Sequence, residues 1–531
     1  MAYKSSGITL IDDNRGFFGS SGPSVVYSAS ELLHTIDNPN SDQTSTSSDY
    51  FGYSVAISGN RAIVGAYQED APYGNSGSAY IFDVNSGALL HTIDNPNSDQ
   101  TTNTEDRFSY SVAISGNRAI VGAYQEDEPG FSDGGKAYIF NTVTGALVHT
   151  LDNPNSGGNS STDNFGYSVA ISGNRAIVGA LNEEVPYAYS GSVYIFDVTS
   201  GSLLHTIDNP NRDQSTNPFD FFGWSVAISG NRAIVSAYKE DVPYVDSGSV
   251  YIIDVDSGAL LHTIDNPNSD QSTNTNDTFG RSVAISGNRA IVGAYGEDVP
   301  YVDSGSAYIF DVNSGALLHT IDNPNSDQTT NTDDWFGISV AISGNRAIVG
   351  SVIEDVPYSG SGSAYIFDVN SGALLHTIDN SNSDQTTNGI DYFGQSVAIS
   401  GNRAIVGAYR EDVPYGDSGS AYIFAVGKEL LAEQVEEIEF SNGIKFNFLS
   451  DKIFQTAHSG SELLHTIDNP NSDQTTNTSD NFGWSVAISG NRAIVGAYNE
   501  DVPYSGSGSA YIFAADKETY LEKIFTSRGL L

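Results

Sequence analysis

The stretch "FGYSVAISGNRAIVGAY" beginning at Phe51 returns with few changes at Phe108, Phe165, Phe222, Phe279, Phe336, Phe393 and Phe482; the first seven starts lie 57 residues apart and the eighth lies 89 residues further on. A fixed period of this length means a stack or ring of one supersecondary unit, because a single unit cannot bury its own apolar face. The 531 residues are therefore one large repeat domain rather than three or four unrelated ones.

In the first unit Tyr53, Val55 and Ile57 alternate with Ser54, Ala56 and Ser58, the period-2 pattern of a strand, here strand A. The turn signal "SGN" (58–60) leads to strand B, Arg61 to Tyr67, so A and B form a hairpin. A longer loop precedes strand C, Ser78 to Val84, and "NSG" (85–87) turns it into strand D, which ends at Asp94. The polar stretch "NPNSDQ" (95–100) then connects to the next A strand.

Four-stranded meanders repeated along a chain pack face to face around an axis as propeller blades. An isolated D strand, "SELLHTIDN" (30–38), precedes the first A strand, and the last unit stops after its C strand, "SAYIFAA" (509–515). With "SELLHTIDN" (461–469) as the D strand of the seventh repeat, there are eight A-B-C sets and eight D strands. The expected fold is all-β: an eight-bladed β-propeller of four-stranded antiparallel blades, its ring closed by the N-terminal strand. An open β-solenoid is the rival, though 57 residues is long for one coil and solenoid ends want dedicated caps. The expected parts are an N-terminal extension (1–29), the propeller (30–515), an insertion in the seventh repeat (426–460) and a tail (516–531). "KELLAEQVEEIEF" (428–440) at its start and "KETYLEKIF" (517–525) have helical spacing, and "EIEFSNGIKFNF" (437–448) reads as a hairpin with an Asn-Gly turn.

The composition, with 54 Gly, 30 Tyr and 25 Phe, agrees with short aromatic strands between turns. A net charge of −43 opposes nucleic-acid phosphates and anionic lipid surfaces. Cysteine is absent, so thiolates hold no metal and disulfides tie no loop. The first 22 residues hold no uninterrupted apolar run of a secretory signal, and no stretch is long enough to span a bilayer as a helix.

The Phe-Gly pair, followed about a dozen residues later by "VGA" as at Val64 to Ala66, resembles the FG-GAP repeat. That repeat is the blade unit of integrin α-subunit propellers and of many bacterial and viral surface proteins. The resemblance implies a propeller used for recognition outside cells. The calcium loop of D-x-D-x-D-G type in that family is replaced here by "SGNR" (58–61), so its calcium site does not carry over. The integrin ring is seven-bladed, so its ligand geometry does not carry over either. "SSGITLIDDNRGFFG" (5–19) is also similar to opening segments of tailed-phage structural proteins.

Several repeated features invite chemistry and have plainer readings. A histidine recurs in every D strand, as at His91 and His149; outer strands splay too far apart for these to share one ion of ~2 Å ligand distance, so they read as structural. The arginine after each A-B turn, as at Arg175 and Arg232, reads as the partner of a repeated carboxylate. The Glu-Asp pairs after strand B, as at Glu126 and Asp127, recur in equivalent settings, whereas glycoside hydrolysis needs one pair in unequal environments. In "NPNSDQ" the residues Asn95, Asn97 and Asp99 alternate as oxygen ligands of a calcium loop do, but Gln100 stands where such a loop has Gly; Asx turns produce the same pattern.

The copies differ most where loops enter strand A. The residue before the Phe runs Tyr50, Arg107, Asn164, Phe221, Thr278, Trp335, Tyr392 and Asn481. The residue after the Gly position runs Tyr53, Tyr110, Tyr167, Trp224, Arg281, Ile338, Gln395 and Trp484. The B-C loops, on the same face of a meander, add Tyr73, Tyr187, Tyr244, Tyr301, Tyr358, Tyr415 and Tyr504. These tyrosines with Trp224, Trp335 and Trp484 are the expected ligand-binding residues, since aromatic platforms suit sugar rings or protein epitopes; packing between blades is the competing role. The expected function is non-enzymatic recognition or adhesion: binding a cell-surface glycan or protein, as a virion or surface-appendage component that contacts its assembly through the termini and the insertion. A purely structural or decorating role is the alternative, and a propeller-scaffold glycoside hydrolase or lyase stands behind both. No cofactor is required, and calcium at Asn95, Asn97 and Asp99 is the one ion considered.

Overall fold

The computed structural model describes residues 4–5, 8–9, 32–37, 39, 50–69, 76–97, 105–127, 133–155, 162–184, 189–211, 219–241, 244–268, 277–298, 303–325, 334–354, 360–380, 392–401, 403–408, 420–426, 437–439, 445–447, 462–468, 481–489, 492–498 and 509–514. The first repeat forms the antiparallel order A-B-C-D from Phe51–Ser58, Arg61–Ala66, Ser78–Asp83 and Leu89–Asp94. Six further sheets repeat this order, each from its own stretch of chain; the last takes its D strand, Glu462–Asp468, from beyond the insertion. A composite sheet joins Phe482–Ser489, Arg492–Ala497 and Ser509–Ala514 to Leu32–Asp37 near the N-terminus. Successive A strands lie side by side from the first sheet through the composite one, whose A strand lies beside Phe51–Ser58. The protein is an all-β propeller of four-stranded antiparallel blades.

Its core lies between blades. Phe51, Val64, Tyr80 and Phe82 of the first sheet pack with Ile494 and Ile512 of the composite sheet. Phe165, Val178 and Tyr194 of the third pack with Ile120 and Ile139 of the second. Strands B and C therefore read as continuous apolar runs because both their faces are covered, and Ala62, Ile63 and Val64 are all fully buried.

D strands form the outer edge, where Leu89 is 41% exposed. Their histidines bind the next blade: the His91 Nε2 lies 3.0 Å from the Val143 carbonyl oxygen and the His149 Nε2 3.0 Å from that of Thr199. Among the described residues, Arg175, Arg232 and Arg289 pair with carboxylates as read. Arg175 pairs with Asp197 at 3.2 Å and with Asp256 of the next blade at 2.9 Å, and Arg289 pairs with Asp311 at 2.8 Å.

In the insertion, Glu437–Glu439 pairs antiparallel with Lys445–Asn447, the hairpin expected there. Lys4–Ser5, itself paired with Ile8–Thr9, lies beside Glu437–Glu439. Of the stretch 428–440, read as helical at its start, the described part is the strand Glu437–Glu439; the start itself and the helix-like stretch 517–525 lie outside the described residues. Among the described residues no helix is long and apolar enough to cross a membrane.

Candidate functional site

The Phe-Gly pair builds the mouth of the ring. Phe51 is fully buried and meets Tyr80 edge-on at 5.3 Å. Gly52 follows at φ 92°, and the Tyr53 N–H donates to the Tyr50 carbonyl at 3.1 Å. This closes a tight turn whose third residue needs positive φ, which glycine adopts without steric cost. The second repeat has Ser109 there at φ 73°, held by its hydroxyl donating to the Ser78 carbonyl at 2.7 Å.

Pairing between A and B resumes only at Ser54, opposite Gly65, after Phe51 opposite Ala66. Gly52 and the residue after it are thus bulged out of the ladder. Such a bulge re-aims a side chain, so the simple alternation read through Tyr53 in the sequence is interrupted there. The residue before the Phe is left-handed in every repeat, with φ of 57° at Tyr50, 55° at Phe221 and 55° at Trp335. Side chains other than glycine hold that conformation at a cost of ~1–2 kcal/mol, and such strain gathers at functional sites.

The re-aimed residues meet across blades. Trp484 lies 5.7 Å from Tyr53, Tyr53 5.1 Å from Tyr110, Tyr110 5.3 Å from Tyr167, and Tyr167 5.1 Å from Trp224, measured between ring centroids. This arc crosses five consecutive blades, and the Arg281 guanidinium ends it, 4.5 Å from the Trp224 ring centroid. Ile338 and Gln395 occupy the same position in the next two blades. A second tier from the ends of B strands backs the arc: Tyr67 against Tyr53 at 4.6 Å, Tyr124 against Tyr110 at 4.7 Å, Tyr238 against Trp224 at 4.6 Å and Tyr498 against Trp484 at 5.1 Å. Burial pushes the Tyr53 hydroxyl well above the usual tyrosine range and that of Tyr124 up to about 12, so these hydroxyls stay protonated donors.

Of the expected binding residues, Trp224 and Trp484 belong to this arc, while Trp335 packs against Tyr295 at 5.6 Å two blades beyond Trp224. Tyr244 is half-buried in its loop, its carbonyl accepting from the Ser247 N–H at 3.1 Å. Tyr73, Tyr187, Tyr301, Tyr358, Tyr415 and Tyr504 lie outside the described residues, as does Asp99. Sequence reasoning did not single out Tyr238 or Phe219, whose signal was a departure of one copy from the others, "NPFDFFGW" (217–224).

Beneath the mouth the two long connections are tied together. Asn95, at the end of a D strand, donates through Nδ2 to Asp106 at 2.8 Å and to Glu126 at 2.7 Å, both in the next repeat. Asn97 donates to the other Glu126 oxygen at 2.8 Å, and its N–H donates to Asn95 Oδ1 at 3.0 Å, an Asx turn. Asn95 and Asn97 therefore present amide donors to carboxylates here. Among the described residues no three His, Asp or Glu side chains gather as a metal site. Burial raises Glu183 and Glu297 to about 7, helped at Glu183 by the Asp163 charge, while Tyr194 and Tyr308 hydroxyls donate to them at 3.1 Å.

No curated protein matches the chain closely enough to serve as a relative. The family model described as the FG-GAP repeat matches eight segments, residues 42–82, 99–140, 156–196, 214–253, 269–310, 327–367, 383–424 and 473–513, which together exceed half the chain. Each match spans the turn that opens strand A and strands A to C, the elements that hold the mouth residues, and the chain belongs to the FG-GAP repeat family.

Proposed function

We propose that the protein is a non-enzymatic recognition propeller, a ring of eight blades closed by its N-terminal strand, whose aromatic mouth binds a glycan or protein on a cell surface. The observation that carries this reading is the arc from Trp484 to Trp224, whose rings meet one another across five consecutive blades. Rigid aromatic area with hydroxyl tips suits sugar rings and protein epitopes alike, since little side-chain entropy is lost on binding. Repeated carboxylates of near-equal setting, such as Glu183 and Glu297, act as hydrogen-bonded struts rather than as an acid-base pair. Display outside a cell, on a virion or other surface appendage, is the setting this reading requires, with the 1–29 and 426–460 segments as contacts to that assembly.

The test is a glycan-array and whole-cell binding screen of the purified protein beside its Trp484→Ala variant. Saturable binding that weakens roughly tenfold in the variant is expected, about the energy of one aromatic contact. Binding that ignores Trp484→Ala moves the site off the arc, and no binding at all leaves the structural, decorating role. Running the screen with a chelator tests calcium at Asn95, Asn97 and Asp99, since loss of binding on chelation is the result that brings the ion in.

A further inference from the structure

One seam between blades differs from the rest. In the first repeat the Ser54 hydroxyl donates to the Ser109 carbonyl of the next inner strand at 2.7 Å, and Ser168, Ser339 and Ser485 reach Gly223, Gly394 and Gly52 in the same way. The equivalent Ser225 makes no bond to Gly280. It bonds instead to Ser236, which donates its hydroxyl to the Ser225 carbonyl at 3.3 Å and accepts from the Ser225 N–H at 3.0 Å.

Ser236 stands where the other repeats have the glycine of "VGA", or Gly of the same register. A Cβ at that glycine would strike the next inner strand, as at Gly122, where it meets the Gly166 carbonyl oxygen. Ser236 has that Cβ, and the inner strands on either side of it are shortened to Val226–Ser229 and Ser282–Ser286 against eight residues elsewhere.

This loosened seam is where the arc ends and where cations gather. Arg281 lies over Trp224 at 4.5 Å and near Tyr238 at 5.8 Å, and the Lys239 ammonium lies 6.0 Å from the Tyr238 ring centroid, where its charge also acts on the Asp246 carboxylate. Among the described residues neither cation forms an ion pair, in a chain with 65 acidic residues, whereas Arg175, Arg232 and Arg289 all do. With its guanidinium carbon over the Trp224 ring and no ion pair among the described residues, Arg281 has an N–H fork of the geometry that grips a carboxylate with two bonds. An aromatic path leads outward from it: Phe221 stacks on Tyr238 at 5.9 Å, and Phe219, 42% exposed, lies 6.0 Å from Phe221 and stacks on Tyr189 at 4.8 Å.

We infer that the mouth of the fourth blade, from Arg281 at its seam with the fifth blade to Phe221 and Phe219 at its seam with the third, is a binding site for an acidic saccharide, whose carboxylate is held by Arg281 and whose sugar rings lie along Phe221 and Phe219. The inference rests on the recognition reading above and narrows its ligand to carboxylate-bearing sugars. The long-range field of a −43 chain opposes an anion, so selectivity comes from the short fork at Arg281.

The probes are an oligogalacturonate and the same oligomer methyl-esterified, which keeps the rings and removes the charges. Titration of the full chain is expected to show the acid form binding at least tenfold more tightly. Arg281→Gln, which carries the residue already present as Gln395, should abolish that preference, bringing the acid form to the affinity of the ester. Ser236→Gly, which lets the seam close, should weaken both. Equal binding of acid and ester by the unmodified protein, or a preference that survives Arg281→Gln, overturns the acidic ligand while leaving sugar recognition standing. Binding of neither form overturns this inference, and the recognition reading falls separately, only if the glycan and cell screen is also blank.

Discussion

At the scale of single residues, the glycines do unequal work. Gly116 sits in an A-B turn at φ 55° with open space around its Cα, so a side chain there meets only backbone strain. Gly122 is different: an added Cβ meets the Gly166 backbone of the next blade. Gly122→Ala is expected to cost roughly 1–3 kcal/mol as overpacking, and Gly116→Ala about 1 kcal/mol through positive φ. Denaturant midpoints of the two variants check this, and equal losses would mean that the seam yields freely. The repeat made the glycine visible in the sequence, but its reason was not, because the atom it avoids lies in another copy of the unit. For the same reason Ser236 passed as ordinary variation, although it marks the one seam where Ser225 turns back on its own blade. Arg281 and Trp224 were both legible as variable positions; their stacking was not, since it follows from both residues lying ahead of their A-B ladders, which begin only at Val226 and Ser282.

At the scale of the element, the strands were legible because their periods are local, and the connections were not. Asn95 reads equally as a calcium ligand or an Asx turn until its partners are seen, and these come from Asp106 and Glu126 in the next unit. The same ties give the fold an unusual pH dependence. Burial raises Glu183 and Glu297 from 4.5 to about 7, so between those values the folded chain holds protons that the unfolded chain has released. Stability therefore climbs as pH falls through that window and levels off below it. The aspartates that accept hydrogen bonds in the C-D turns, such as Asp197 and Asp311, are lowered from 3.8 chiefly by a serine N–H, and their contribution is lost only in stronger acid. Chemical denaturation at intervals from pH 8 to 4 should give a midpoint that rises on the way down. Glu183→Gln, which keeps an acceptor for the Tyr194 hydroxyl, should flatten part of that rise. A midpoint that falls steadily from pH 7 would show that these carboxyls are ionised in the fold.

At the scale of the whole molecule, the strand count at the two chain ends implied a closure that no single repeat contains. Leu32–Asp37 pairs antiparallel with Ser509–Ala514, His34 opposite Ile512 and Ile36 opposite Ala510. Without it, the composite sheet would end in the C strand and expose a row of unpaired backbone groups, the kind of edge that recruits another chain. The same sheet supplies Trp484 to the arc and the Ser485 hydroxyl that donates to the Gly52 carbonyl at 2.7 Å, so closure and aromatic arc share one blade. Removing residues 1–38 should therefore lower the unfolding midpoint by at least a few degrees and shift the protein toward association at high concentration. A peptide of residues 30–38 added in trans should restore the midpoint saturably, and binding at the arc should recover with it. If the shortened chain melts as the full one does and keeps its ligand, the ring is held by the packing of inner strands alone, and the terminal strand is an accessory to a circle already closed.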